Sequence, residues 1–111
     1  MNIDFKGFNE KVLTFEADNT VTEKNQWVTL SNNGTVTQAA ANSKLMGITV
    51  NVRNGYCGVQ LCGTVTYPKT GSIALGYTKL VYTANGIKQD NTNGKEHLVL
   101  SVDSNNVTFI L

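Results

Sequence analysis

The residues of this chain best suited to chemistry are Cys57 and His97, because a thiol and an imidazole can act as nucleophile and general base. Asp90 or Asp103 would then have to orient the imidazole. A catalytic cysteine is usually activated at a helix N-terminus or in an electropositive pocket. Cys57 lies instead in a predicted strand of a chain with few helical signals, so the sequence argues against a nucleophilic site.

Cys57 and Cys62 are five residues apart in one predicted strand. Side chains alternate between the two faces of a strand, so an odd separation places the two thiols on opposite faces. We therefore expect both residues to remain thiols rather than to form a disulfide. Together with His97 they supply fewer ligands than a structural zinc site needs, and their spacing is not that of a zinc-binding cysteine pair.

The acidic residues are scattered singly along the chain, which gives no signal for the paired carboxylates of a glycosidase. The glycine-containing segment at residues 71–76 is not followed by a helical pattern, so its amides lack the setting of a phosphate-binding loop. The sequence predicts no catalytic, cofactor-binding or metal-binding residues. The chain is not expected to be an enzyme, and a small enzyme is the weakest functional alternative.

The tryptophan and the tyrosines allow two interpretations. Exposed rings beside polar side chains would form a platform for a sugar, whereas buried rings would belong to the core. Aromatic residues on strands ordinarily pack in cores or against neighbouring strands, so the core interpretation is favoured. The residues concerned are Trp27, Tyr56, Tyr67, Tyr77 and Tyr82.

The elements that must position these residues are predicted by four Asn-Gly dipeptides, Asn33-Gly34, Asn54-Gly55, Asn85-Gly86 and Asn93-Gly94. A type I′ hairpin turn needs positive φ at both central positions, which Asn tolerates and Gly adopts freely. Most of the dipeptides separate short runs of alternating apolar and polar residues. The sequence therefore predicts an all-β fold, a small antiparallel β-barrel or sandwich with short hairpins and an N-terminal arm. A single helical turn is expected at most, in residues 37–44.

Alternation also predicts which side chains face the core. In residues 45–52 the apolar face carries Met46, Ile48, Val50 and Val52. In residues 97–102 it carries Leu98, Leu100 and Val102.

Residues 56–67 form a run of alternating residues that is long for one strand. Gly58 and Gly63 lie within it, and either is a natural place for a bulge or a sharp bend, as small barrels require at corners.

Composition excludes some classes of partner. The chain has 111 residues, enough for one domain, with 15 % charged residues and a formal net charge of +1. So small a charge gives no electrostatic footprint for nucleic acid or for an anionic membrane. No apolar run is long enough to span a bilayer, and charged residues occupy the place where a signal peptide would be apolar. We expect a protein made in a cytoplasm that binds neither nucleic acid nor membrane.

The start of the chain differs from the remainder. Ile3, Phe5 and Phe8 are apolar, yet their segment has no turn signal and little alternation. We expect residues 1–11 to form an N-terminal arm and residues 12–111 to form a single β-domain. An apolar arm of this kind either contacts a partner or covers the chain's own core.

Strand segments and glycine turns follow one another in a characteristic order between residues 26 and 90. The segments are Val28-Thr29-Leu30, Gly34-Thr35-Val36, Ala39-Ala40-Ala41, Met46-Gly47-Ile48, Gly58-Val59-Gln60-Leu61-Cys62-Gly63-Thr64-Val65, and Gly76-Tyr77-Thr78-Lys79-Leu80-Val81-Tyr82 followed by Gly86. This order resembles the small tailed-phage capsid decoration, or cement, proteins. In that family a segment of the form G-V-x-V-x-x-G-x-V precedes G-x-x-V-Y-x-x-x-G.

The resemblance implies a structural virion protein, made in the host cytoplasm and located on the capsid surface, that stabilises the lattice of the major capsid protein. It also implies a homotrimer, and it carries over no catalytic residue or cofactor. The candidate residues for contact with the capsid or another subunit are Ile3, Phe5, Phe8 and Trp27. The alternative is a carbohydrate- or receptor-binding β-module of a phage tail or fibre, which would use exposed Trp27 or tyrosine rings.

Overall fold

Every regular element of the computed structural model, which describes residues 11–111, is a β-strand. The predicted all-β fold is confirmed. The helical turn expected in residues 37–44 does not form, because Asn42 adopts a φ of 64° and directs the chain into a short strand. The strands are β1 Lys11–Ala17, β2 Trp27–Asn32, β3 Thr35–Gln38, β4 Ser43–Lys44, β5 Gly47–Arg53, β6 Tyr56–Cys62, β7 Thr64–Pro68, β8 Gly76–Thr83, β9 Gly86–Gln89, β10 Lys95–Val102 and β11 Asn106–Ile110.

The strands form two sheets. The first is a closed barrel in the order β1-β3-β2-β5-β6, and the second has the order β4-β8-β10-β11-β7 with β9 also paired to β8. Among the named strands of residues 11–111, all pairs are antiparallel except β1 with β3. That parallel pair closes the barrel through only two register positions, Glu16 with Thr35 and Ala17 with Val36.

Two of the Asn-Gly dipeptides supply the two turn residues of a hairpin as predicted: Asn33-Gly34 joins β2 to β3, and Asn54-Gly55 joins β5 to β6. In the β8–β9 hairpin the turn residues are Ala84 and Asn85, because Gly86 already pairs with Thr83 as the first residue of β9. Asn54 and Gly55 have φ values of 50° and 80°, so both central residues are left-handed, as a type I′ turn requires. Asn93-Gly94 belongs instead to a loop in which the Gly94 N–H donates to the Asp90 carbonyl at 3.0 Å.

Gly63 is where the chain passes from one sheet to the other. It separates β6 of the barrel from β7 of the second sheet and has a φ of 94°, a conformation that side chains disfavour. The bend predicted within residues 56–67 is therefore confirmed at Gly63, and the long run is two strands. Its carbonyl accepts the Leu111 N–H at 2.9 Å, which ties the end of the chain to this corner.

A bulge in β5 overturns one predicted face. The register with β6 shifts between Thr49 and Asn51, which leaves Val50 as the extra residue. Val50 is consequently 39 % exposed while Thr49 is fully buried, so the prediction that Val50 faces the core is wrong. The buried Thr49 hydroxyl is satisfied, because it donates to the Glu23 carbonyl at 2.7 Å and accepts the Gln26 N–H at 3.0 Å.

A second bulge has the same effect in β10. Its register with β11 shifts between Val99 and Ser101, with Leu100 as the extra residue. His97 and Val99 are buried, so the prediction that Leu98 and Leu100 point into the core is wrong. One extra residue reverses the face of every side chain on one side of it.

Two groups of buried side chains hold the sheets together. The barrel core is enclosed by the first sheet and consists of Val21, Val28, Val36, Cys57 and Val59, with Phe15, Ala17, Met46, Val52 and Leu61 against it. The shared core joins the barrel to the second sheet and consists of Trp27, Ala39, Leu45, Ile48, Val65, Ile73, Leu80, Ile87, Val99, Val107 and Phe109. The adjacent residues Trp27 and Val28 are both buried because β2 has one of these cores on each face.

Candidate functional site

The candidate contact residues occupy different parts of the chain. Ile3, Phe5 and Phe8 lie outside the described residues. Trp27 is 1 % exposed, and its ring stacks on Phe109 with centroids 6.2 Å apart and meets Tyr67 edge-on at 5.6 Å. The second sheet covers the outer face of β2, so Trp27 is a core residue and does not lie on a surface that a partner could reach. Its assignment as a contact residue is withdrawn, and the core interpretation holds for this ring.

His97 is a buried histidine of the shared core. Its Nδ1 lies 3.0 Å from the Ile110 carbonyl oxygen, and its ring meets Phe109 edge-on at 5.6 Å. Its Nε2 is buried and has no hydrogen-bond partner within residues 11–111. Burial lowers the pKa of His97, which the contact with Ile110 partly opposes and Lys95 reinforces. The neutral imidazole packs as an aromatic ring.

The carboxylates considered as partners for His97 are used by their own loops. The Asp90 carboxylate accepts the N–H groups of Thr92 and Asn93, both at 2.9 Å. Asp103 accepts those of Asn105 and Asn106 at 2.8 and 2.7 Å. These hydrogen bonds lower the pKa of both carboxyls. Each aspartate stabilises a turn, a role typical of Asp in loops.

Cys57 is not brought together with His97. Cys57 belongs to the barrel core, whereas His97 packs against Phe109 of the shared core. No disulfide joins Cys57 to Cys62. Burial raises the pKa of the Cys57 thiol, so it stays protonated at neutral pH and is a weak nucleophile.

Metal and membrane sites receive no support from the described part of the chain. Within residues 11–111 no three His, Cys, Asp or Glu side chains are grouped so that they could hold a metal ion. The same residues contain no helix of the length and apolar character needed to cross a membrane.

The exposed apolar side chains concentrate on the barrel. Seven large hydrophobic residues are exposed within residues 11–111. Leu75 directly precedes β8 and Tyr77 is its second residue, and the other five belong to barrel strands: Val12, Leu13, Leu30, Val50 and Tyr56. Single exposed hydrophobic residues are ordinary, but neighbouring ones indicate an interaction site. Val12 and Leu13 are consecutive on β1, at 49 % and 56 % exposure, and their side chains lie on opposite faces of the strand.

The same strand has an open edge. β1 pairs with β6 along its length from Lys11 to Glu16, but it pairs with β3 only at Glu16 and Ala17. Residues 11–15 therefore have no strand partner within residues 11–111 on the side away from β6. We call this segment the β1 edge. An edge strand with apolar side chains is a template on which another strand can pair.

A cleft lies on the outer surface of the barrel, beside the Asn54-Gly55 turn. It has a volume of about 550 Å³ and is lined by Thr14, Asn51, Arg53, Asn54, Tyr56 and Cys57. The cleft needs three strands to form, and sequence reasoning missed it. One side of the cleft could have been predicted from the sequence. The two-residue turn at Asn54-Gly55 makes the flanking residues Arg53 and Tyr56 a cross-strand pair, as the register shows.

Comparisons with known proteins identify no relative: no protein-family model, curated protein or solved structure matches this chain. The resemblance to capsid decoration proteins stays a prediction from residues 26–90.

Proposed function

We propose that this chain is a structural virion protein that binds the outer surface of a phage capsid and stabilises the lattice of the major capsid protein. The β1 edge is the observation that carries the proposal. It combines an open strand side with the exposed apolar side chains of Val12 and Leu13, and it directly follows residues 1–10. Ile3, Phe5 and Phe8 extend the apolar character into that preceding segment.

The β1 edge is suited to strand addition. An extended segment of a partner would satisfy the open backbone groups, while its alternating side chains would pack beside Val12 on one face and Leu13 on the other. Main-chain hydrogen bonds of this kind need no charged groups, which agrees with a chain whose formal net charge is +1. The neutral surface would keep the chain from adhering to nucleic acid inside the host cell.

A single contact through the short β1 edge would be weak, so attachment would depend on many copies of the same contact. A capsid presents the same site many times, and a homotrimer that engages several subunits at once gains avidity without any new contact. The proposed activity is thus mechanical. Linking neighbouring capsid subunits raises the cost of separating them, and no chemical turnover is involved.

The test is binding to undecorated capsids of the phage whose genome encodes the chain, measured by co-sedimentation. Leu13→Lys is expected to weaken binding about tenfold, since a lysine on an edge blocks strand pairing. Leu75→Lys is the matched control, because Leu75 is an exposed leucine of the second sheet region and should leave binding unchanged.

Removal of residues 1–10 should also weaken binding and lower the temperature at which decorated capsids rupture. Equal binding by the intact chain, the Leu13→Lys variant and the truncated chain would show that neither the edge nor the arm is the attachment device. Failure of the intact chain to bind any such capsid would overturn the proposal.

The alternative, a carbohydrate- or receptor-binding β-module of a phage tail or fibre, loses one of its expected residues, because Trp27 is buried. Coding neighbours distinguish the two proposals. Genes for portal, protease and major capsid protein beside this one would favour the capsid role, and tail genes would favour the alternative.

A further inference from the structure

The cleft on the barrel has a specific construction. In the strand register Arg53 and Glu16 each pair with Tyr56, so these three side chains form one row across β5, β6 and β1. Thr14 and Asn51 both pair with Gly58, which forms the next row on the same face. Because Gly58 has no side chain, the Asn51 amide packs over the middle of that row: a Cβ on Gly58 would lie 3.0 Å from the Asn51 Oδ1 and 3.2 Å from the Val12 Cγ1.

The polar groups that line the cleft can form hydrogen bonds with a ligand. The Asn51 Oδ1 accepts the Gly58 N–H at 2.9 Å, which orients the side chain and leaves its amide N–H groups to donate. Thr14 contributes a hydroxyl from β1, and Asn54 contributes a second amide from the turn.

Arg53 distinguishes this cleft from an ordinary polar surface. No carboxylate in residues 11–111 forms an ion pair with its guanidinium, which presents several donors in a planar fork. Such a fork matches a carboxylate in a bidentate arrangement. Its cross-strand neighbour Tyr56 is 54 % exposed, so an aromatic ring lies beside the cation.

We propose that this cleft binds a sugar residue that carries a carboxylate. The Tyr56 ring would pack against the apolar C–H face of the sugar, and Arg53 would hold the carboxylate. Asn51, Asn54 and Thr14 would bond the hydroxyl groups. A volume of about 550 Å³ is within the range of small-ligand sites and accommodates one or two sugar rings. This binding does not depend on a capsid, although Thr14 belongs both to the cleft and to the β1 edge.

The cleft has a positive charge, Arg53, on one side and a negative charge, Glu16, on the other, so an anionic group would be favoured only beside Arg53. Glu16 lies across Tyr56 from Arg53, and its carboxylate accepts the Thr35 hydroxyl at 3.3 Å. The ligand carboxylate would therefore lie toward Arg53 and away from Glu16. Replacement of Glu16 by glutamine should strengthen binding of the acidic sugar, because it removes a like charge.

The test measures binding of three probes to the purified chain by titration calorimetry and saturation-transfer NMR. The probes are methyl galacturonoside, methyl galactoside and acetate. The intact chain should bind the galacturonoside at least about fivefold more tightly than the other two, because only it offers both a ring and a carboxylate. Tyr56→Ala should abolish binding of both sugars.

Arg53→Gln is the decisive variant. It should weaken galacturonoside binding about tenfold and leave the galactoside unaffected, so that the preference disappears. Lys88→Gln removes a positive charge on β9 of the second sheet and is the matched control. Trp27 fluorescence checks that each variant is folded.

Three outcomes would overturn the proposal. They are no preference of the intact chain for the acidic sugar, a preference that survives Arg53→Gln, and acetate binding as tight as galacturonoside binding. The last outcome would mean that the cleft is a simple anion site.

Discussion

The barrel and the second sheet are built from the same alternating strands, but they differ in what they leave exposed. The barrel core is made largely of valines, whereas the shared core under the second sheet contains the large rings of Trp27 and Phe109. Within residues 11–111, five of the seven exposed large apolar residues are on the barrel strands, and the β1 edge is there as well. We expect the shared core, with its larger side chains, to contribute more to stability than the barrel core.

The strongest test of this comparison is a pair of adjacent substitutions. Trp27→Ala should destabilise the fold by about 3–5 kcal/mol because it opens the shared core where barrel and second sheet meet. Val28→Ala should cost about 2 kcal/mol, since it removes two methyl groups from the barrel core. Equilibrium urea unfolding measures both, with Leu75→Ala as a surface control. Equal losses would show that the two cores contribute alike.

Gly47 of the barrel and Gly86 of the second sheet both lie where an added Cβ would be crowded by neighbouring atoms. A Cβ on Gly47 would lie 2.5 Å from the Val59 Cγ1, and one on Gly86 would lie 2.6 Å from the Pro68 carbonyl oxygen. Gly47→Ala should destabilise the barrel by about 1–3 kcal/mol. Gly86→Ala should cost more, because φ is 129° there and alanine is strained in that conformation. Thermal unfolding would show a larger melting-temperature decrease for Gly86→Ala; the reverse order would contradict this reasoning.

Acid should lower the stability of the fold through His97, which lies on β10 of the second sheet. The folded-state pKa of His97 is below its ordinary value of 6.5, so the unfolded chain binds the proton more readily than the folded chain. The contribution of neutral His97 to stability is therefore complete above pH 6.5 and decreases as the pH falls from there through the folded-state pKa.

Melting temperatures measured between about pH 7.5 and pH 5 would show this decrease, because that interval includes the ordinary histidine pKa. His97→Leu should remove it. The pKa values of Asp18, Asp90 and Asp103 are lowered from 3.8, so those carboxyls titrate outside that interval. A decrease that persists in His97→Leu would mean that another group is responsible.

A reducing agent should have the smallest effect on the stability of the fold. Because no disulfide joins Cys57 to Cys62, dithiothreitol should leave the melting temperature unchanged, and the denatured chain should titrate both thiols without reductant. A melting temperature several degrees lower in reductant would reveal a cross-link, and would place the stability of the barrel partly in a covalent bond.

Local signals were sufficient for much of the fold. Asn54-Gly55 predicted its hairpin because the dipeptide itself tolerates positive φ at both positions. Gly63 marked the bend because only glycine adopts its φ of 94° without strain. The faces of β5 and β10 were predicted less well, because the bulges at Val50 and Leu100 depend on how each strand pairs with its neighbour.

The candidate sites were harder to predict than the strands. Trp27 has the residue type of a contact residue, and only the position of the second sheet makes it a core residue. The cleft brings together side chains of β1, β5 and β6, and residues 14 and 56 are far apart in sequence. The openness of the β1 edge depends on how far β3 extends beside it.

The sequence by itself determined the all-β class, the hairpin turns and the chain's low charge, because backbone preference and side-chain alternation act over a few residues. Tertiary structure alone decided that the strands divide into a closed barrel and a second sheet, that Trp27 is buried between them, and that Arg53 and Tyr56 border a cleft. Those outcomes depend on which strands pair and on which face of each pair is covered. Pairing between distant strands is a property of the whole chain, since each pair is stable only when the others have formed.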